Sequence, residues 1–336
     1  MSVLHITNGD GAANIIKAST IEGDVLAWRD PMHFGPFPLG PSFDELGALR
    51  AKFLSGPGID YETTLREFRQ RDDHLKDCDR YNEIILWFEH DLLDQLQILQ
   101  LLDWFQETKF NQSKLSLVCI DQFEGLTNFR GLGELTPLQI ATLKKDRQPV
   151  TGEQIILAAA GWRAFRSDNP RNLEDFIAGN LSVLPFLARA LRRHLQEYPW
   201  LDDGLTRTER QLLQLASRGI VAPGRLFVEN MRLETALYLG DWSTFRHLDT
   251  LCRARQPLLQ CTPGPHFEFP QHDAVPSEAF RSQRLELTEH GRRLLAGETS
   301  ARSSIERNLW LGGVHLQSDQ AMWMWDEQAG RLEHAQ

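Results

Sequence analysis

The sequence predicts an α/β first domain built on a mostly parallel sheet, then a mainly helical stretch, then a smaller mixed unit. Three observations lead there. Short β-rich runs alternate with amphipathic helical segments from Val3 to Ile120, the pattern of strands joined by crossover helices. From about Thr136 the strand runs give way to apolar residues at helical spacing. Beyond Leu205 a new helix-start signal opens a set of helices with two short strand runs.

The elements follow in order. Val3 to Thr7 is a β-rich run ending in the turn Asn8-Gly9-Asp10-Gly11, and Ala12 to Ser19 reads as a helix. Gly23 to Trp28 gives a second strand, followed by the Pro/Gly-rich loop RDPMHFGPFPLGP. Ser42 to Leu54 and Tyr61 to Asp77 read as helices, the second highly charged. EIILWF, Glu83 to Phe88, is a continuous apolar run of the kind buried on both faces of a parallel sheet. Leu92 to Phe105 is an amphipathic helix and KLSLVCI, Lys114 to Ile120, a fourth strand. Together these predict a Rossmann-like domain over residues 1–135. Gln154 to Phe165, Asn172 to Ala178 and Val183 to Tyr198 show helical spacing, within a connecting region over residues 136–200.

In the last part, 201–336, Thr206 and Glu209 form a capping box ahead of RQLLQLASRG, closed by Gly219. Helices are predicted near Phe227 to Leu239 and Trp242 to Arg253, then strands at Leu258 to Cys261 and Arg284 to Leu287. LTEHGRRLLAG ends the series. This order resembles a winged helix, and WLGGVHL with MWMWDEQAGRL reads as a C-terminal hairpin.

Composition bounds the function. The 336 residues are 41% hydrophobic and 24% charged, ordinary for a chain that buries a core. The net charge of -10 argues against a general nucleic-acid or acidic-membrane binder, which needs concentrated positive charge. Cys78, Cys119, Cys252 and Cys261 include no CxxC pair, so a closed thiolate zinc site is not expected, and Cys119 in LSLVCI reads as a small buried hydrophobe. No charged-then-apolar leader and no run of about 18 apolar residues is present, so the expectation is a cytoplasmic bacterial protein with no membrane partner. The tryptophans lack interleaved Lys and Arg and read as packing groups rather than base-stacking platforms.

In a parallel sheet, ligands bind beyond the carboxyl ends of the strands. Here those ends carry Asn8, Gly9, Asp10 and Gly11 after the first strand, then Arg29, Asp30 and His33 after the second. Glu89, His90 and Asp91 follow the third, with Asp94 and Gln95 on the next helix, and Asp121 follows the fourth. Glycines before a helix let backbone N–H groups approach an anion, although no GxGxxG or Walker pattern is present. Asp10 and Asp91 also suit helix caps, and His5 suits a core histidine with satisfied nitrogens. Acids and histidines at four strand ends nevertheless form a set suited to general acid–base work, to a divalent metal, or to hydrogen-bonding a ligand. Asp10, Asp30, Glu89 and His90 are the candidate catalytic groups. Asn8, Gly9, Gly11, His33, Asp91 and Gln95 are the candidate ligand contacts.

HITNGDGAA, WRDPMHFGP and LWFEHDLLDQLQILQLL look like the signature blocks of an uncharacterised bacterial family, domain of unknown function 1835. GLGEL, LPFLARALRRHLQEYPW, GLTRTERQLL and WLGGVHL are similar to its later blocks, so the resemblance spans the chain. It implies a grouping and carries no catalytic residues over.

Two classes of function are expected. The first is a ligand-binding or hydrolytic domain acting on a nucleotide- or phosphate-containing small molecule. The second is a regulator whose first domain senses a ligand. Its winged helix would read DNA through Ser243, Thr244, Arg246 and His247 or bind a protein. Asp241 and Asp249 beside those residues weigh against DNA.

Overall fold

The computed structural model describes residues 2–56, 59–237, 239–264, 266–270 and 276–335. The chain forms two compact units, Met1–Leu191 with Gly312–Val314 and Arg192–Leu311 with His315–Gln336. It is α/β overall. Among the described residues no helix is long and apolar enough to cross a membrane.

The first unit opens with β1 (Val3–Thr7), α1 (Asp10–Ala18), β2 (Asp24–Ala27) and the two-residue β3 (Gly35–Pro36). Then come α2 (Phe43–Leu54), α3 (Tyr61–Lys76), β4 (Glu83–Glu89), α4 (Leu92–Glu107) and β5 (Leu115–Ile120). It continues through α5 (Pro137–Leu143), β6 (Gln148–Pro149), α6 (Gly152–Phe165) and α7 (Arg171–Ile177). The sheet runs β2-β1-β4-β5-β6, parallel except for β6, which is antiparallel to β5. The apolar run of β4 takes the central place, and Ile84 to Glu89 are all buried. Ile85, Trp87 and Val118 of the sheet cluster with Ala12 and Ile16 of α1 and Ile140 and Leu143 of α5. On this parallel frame the carboxyl ends of β1 and β4 fall side by side, Thr7 pairing with Trp87.

His5 is a core histidine, as expected. It is fully buried, its Nδ1 accepts from Trp87 Nε1 at 3.0 Å, and its Nε2 lies 3.2 Å from the carbonyl of Glu22. Burial lowers its pKa, so the ring is neutral.

α8 (Leu187–Leu195) is followed by α9 (Arg207–Ser217), α10 (Pro223–Leu233), α11 (Asp241–Arg253), β7 (Leu259–Thr262) and α12 (Glu278–Ser282). β8 (Arg284–Leu287), α13 (Glu289–Leu295), β9 (Asn308–Gly312), β10 (Val314–Gln317), β11 (Met322–Asp326) and β12 (Arg331–Ala335) complete the chain. The Thr206–Glu209 capping box forms at α9, and Gly219 at φ 84 follows that helix as its left-handed stop. β7 and β8 pair antiparallel, as do β11 and β12; the tail expected as one hairpin instead makes two pairings, β11 with β12 and, from WLGGVHL, β9 with β10 in another sheet. α10 begins four residues earlier than its apolar spacing suggests, because Pro223 occupies the first helical turn. It ends at Leu233, with Glu234 extended, short of the expected Leu239; Tyr238 lies outside the described residues. The second unit's core joins Leu212 and Leu213 of α9, Phe245 and Leu248 of α11, and Leu259 and Leu285 of the two strands.

Candidate functional site

Four of the expected residues meet at the ends of β1 and β4. Glu89 closes β4, and two residues later Asp91 caps α4, accepting from the Asp94 N–H at 2.8 Å. Asp94 faces back: its Oδ2 accepts from the Glu89 N–H at 2.6 Å and its Oδ1 from Asn8 Nδ2 at 2.8 Å. Gln95 donates to the Glu89 carbonyl at 2.7 Å, which ties the strand end to the helix start. Glu89, Asp91 and Asp94 thus each offer an oxygen within 4.8 Å of one another.

The electrostatics of this group are unusual. Glu89 is 3% exposed and Asp94 fully buried, and no Lys or Arg forms an ion pair with any of the three among the described residues. Burial first, then the Asp91 charge, pushes Glu89 up to about 8. Burial pushes Asp91 to about 6, and burial with the Asp91 and Glu89 charges holds Asp94 well above its ordinary value. The group therefore holds protons near neutral pH, or a cation in their place.

Glu89 opens onto a cleft of about 250 Å³ lined by Asn8, Gly11, Ala12, Arg130, Gly131 and Glu134. One Glu89 oxygen accepts from the Leu132 backbone N–H. Gly131 is required beside it, since a Cβ there would lie 2.2 Å from Glu89 Oε2. Gly9 is the N-cap of α1 and no side chain caps that helix, so its first-turn N–H groups border the same cleft.

Asp10, Asp30, His33 and His90 lie elsewhere. Asp10 is the first residue of α1 and does not cap it; it is exposed in a two-hydrogen-bond pair with Arg29 at 2.6 and 2.7 Å. Asp30 is buried against Arg50, 2.6 Å from Nη2, with the guanidinium also bonded to the carbonyls of Phe34 and Pro31. Asp10, Asp30 and Glu89 thus answer to three different sets of partners and do not form one cluster. His33 is buried beside the Phe34 ring at 5.1 Å. His90 turns away into Phe129 and Phe186, where burial lowers its pKa. Among the described residues its buried Nδ1 has no hydrogen-bond partner. Cys119 donates to the Glu89 carbonyl at 3.4 Å, and burial raises its thiol pKa, which suits packing rather than nucleophilic attack.

Sequence reasoning noted Asp94 on the helix after the third strand without making it a candidate, and left out Arg130, Gly131 and Leu132. The signal for Asp94 was its place three residues after the cap Asp91, where an acid normally reaches back to the helix start. Gly131 and Leu132 open the block GLGEL, whose spacing alone names no partner.

In the second unit, Ser243 is 7% exposed and Thr244 fully buried, its hydroxyl bonded to the Gly240 carbonyl. His247 lies 3.8 Å from both Glu197 and Glu209. Of the four residues expected to read bases, Arg246 alone is exposed. Comparison with protein-family models and with curated proteins finds no match to this chain, so its chemistry rests on the geometry above.

Proposed function

We propose that the first unit, a Rossmann-like domain, binds a nucleotide- or phosphate-containing small molecule in the cleft at the ends of β1 and β4. Glu89 would serve there as the proton donor of a hydrolytic step. The observation that carries this reading is Glu89 itself, a nearly buried carboxyl whose pKa stands at about 8 and which lines the cleft. A carboxyl that is neutral at pH 7 does not repel an anion and holds a proton to give to a leaving oxygen. The first-turn N–H groups of α1 and the Arg130 guanidinium supply positive potential on the same cleft. Asp10, the acid nearest that helix start, is already neutralised by Arg29.

A thermal-shift titration with inorganic phosphate and with a nucleoside monophosphate tests this, because a ligand of the folded state alone raises the melting temperature. Both should shift the wild type, and Arg130→Ala should lose the shift. No shift with either compound at millimolar concentration refutes the proposal. Phosphate binding should also weaken as pH rises through about 8, where Glu89 gives up its proton.

The 4.8 Å convergence of Glu89, Asp91 and Asp94 favours a second reading, in which oxygen ligands hold a divalent metal. Manganese alone would then stabilise the wild type and not Asp94→Asn. For the second unit we infer a winged-helix module that contacts protein rather than DNA. The burial of Ser243 and Thr244 supports that choice, since buried side chains do not reach base edges.

A further inference from the structure

The first unit holds another cavity, of about 280 Å³, that the phosphate reading does not use. Its walls include the rings of Phe43, Trp104 and Trp162, and its polar groups include Asp103, Glu107 and Arg166. Asp103 stands nine residues beyond Asp94 on α4, about 13 Å along the axis at 1.5 Å per residue, so the two sites occupy opposite ends of one helix.

The placement of the two acids is locally unfavourable. They are four residues apart, where like charges repel, and they sit toward the carboxyl end of a helix that has no basic residue in its last turn. Arg166 offsets this only in part, because its guanidinium bonds the carbonyls of Pro38 and Pro41 at 2.8 to 3.1 Å. Burial, then the Glu107 charge, pushes Asp103 up to about 6 despite the charges of Arg166 and Arg163. The Trp162 ring already stacks on Phe165 and has the Arg166 guanidinium 5.6 Å from its centroid, so two carboxylates with the rings of Phe43 and Trp104 are the groups left to recognise an organic cation. The volume is just under the roughly 300 Å³ at which ligand pockets usually begin, which limits the guest to a few heavy atoms.

We propose that this cavity binds a small organic ammonium ion, with Asp103 and Glu107 meeting its charge and Phe43 and Trp104 its hydrocarbon surface.

Calorimetric titration of the full chain at pH 8 tests it, using choline, n-butylammonium and 3,3-dimethylbutan-1-ol, the uncharged isostere of choline. At least one ammonium ion should bind saturably and about ten-fold or more tighter than the alcohol. Comparison of the two cations tells a methylated from a primary amine. The double variant Asp103→Asn with Glu107→Gln should lose about ten-fold or more of that affinity, and Glu107→Lys, a change at an exposed position, should lose it as well. Both variants should keep the wild-type phosphate response, which separates this site from the Glu89 cleft. Affinity for the ammonium ion should fall below pH 6, where Asp103 is protonated, with Glu107, Arg163 and Arg166 the other charges acting there. Absence of cation binding at millimolar concentration, equal binding of the alcohol, or undiminished binding by both variants overturns the proposal.

Discussion

Each unit buries a group of carboxylates, and the two groups differ in what neutralises them. In the second unit Glu209 receives both Arg307 Nη1 and Nη2, at 2.6 and 2.7 Å. Glu234 receives two N–H groups of Arg193, and Glu197 receives a third at 2.7 Å. Burial alone would raise Glu209 and Glu197, but the guanidinium groups outweigh it and hold both below the ordinary glutamate value. In the first unit, among the described residues, Glu89, Asp91 and Asp94 have only amides, backbone N–H groups and one another, and all three are raised. The difference teaches how to separate scaffold from site: a buried acid matched by an arginine holds elements together, whereas a buried acid without one keeps a proton or awaits a cation.

The largest expected effect falls on the matched group. Arg307→Met leaves Glu209 buried without its partner and should cost about 3–5 kcal/mol in urea unfolding. Glu89→Gln removes a carboxyl that is neutral in the folded protein, and compared at pH 4.5, before ionisation of the unfolded chain weighs on the wild type, it should change stability by less than about 1 kcal/mol. A Glu89→Gln loss as large as that of Arg307→Met would erase the contrast.

Next is the pH dependence, which has opposite sign in the two groups. Glu89 binds its proton more tightly folded than unfolded, so its contribution to stability declines as pH rises from about 4.5 to about 8. Asp91 and Asp94 act in the same direction. Glu209 and Glu197 bind theirs more weakly when folded, so their stabilisation is present above about 4.5 and is lost as pH falls through and below that value. Urea midpoints measured from pH 4 to 9 should show a downward slope above pH 4.5 that Glu89→Gln flattens. An unchanged slope in that variant would mean that Glu89 is ionised throughout.

The most local effect sharpens the geometry of the cleft. Gly131→Ala drives a Cβ to within 2.2 Å of Glu89 Oε2 and should cost about 1–3 kcal/mol as the carboxyl is displaced. The phosphate-induced melting shift should fall with it. A Gly131→Ala protein that keeps both its stability and its phosphate response would place the ligand away from Glu89.

Much of the fold was legible because its signals are local. The apolar run EIILWF became the buried central strand, and Asp91 and Thr206 became the caps their spacing suggested. Asn8, Glu89 and Asp91 were identified as site residues from their place at strand ends, and they do meet. The same reasoning placed Asp10 and Asp30 in that group, where they do not belong. Their guanidinium partners, Arg29 and Arg50, lie 19 and 20 residues further along, on a strand end and a helix, and no periodicity links them. Leu132, which holds Glu89, is 43 residues away from it.

What the sequence determined by itself was the kind and order of elements, since hydrophobic period, capping residues and glycine stops act within a few residues of one another. What the tertiary structure decided was which acids receive a counter-charge and which are left facing a cleft. That outcome depends on Coulomb and desolvation energies between groups brought together only by the packed sheet and helices, and those energies change over a few ångströms.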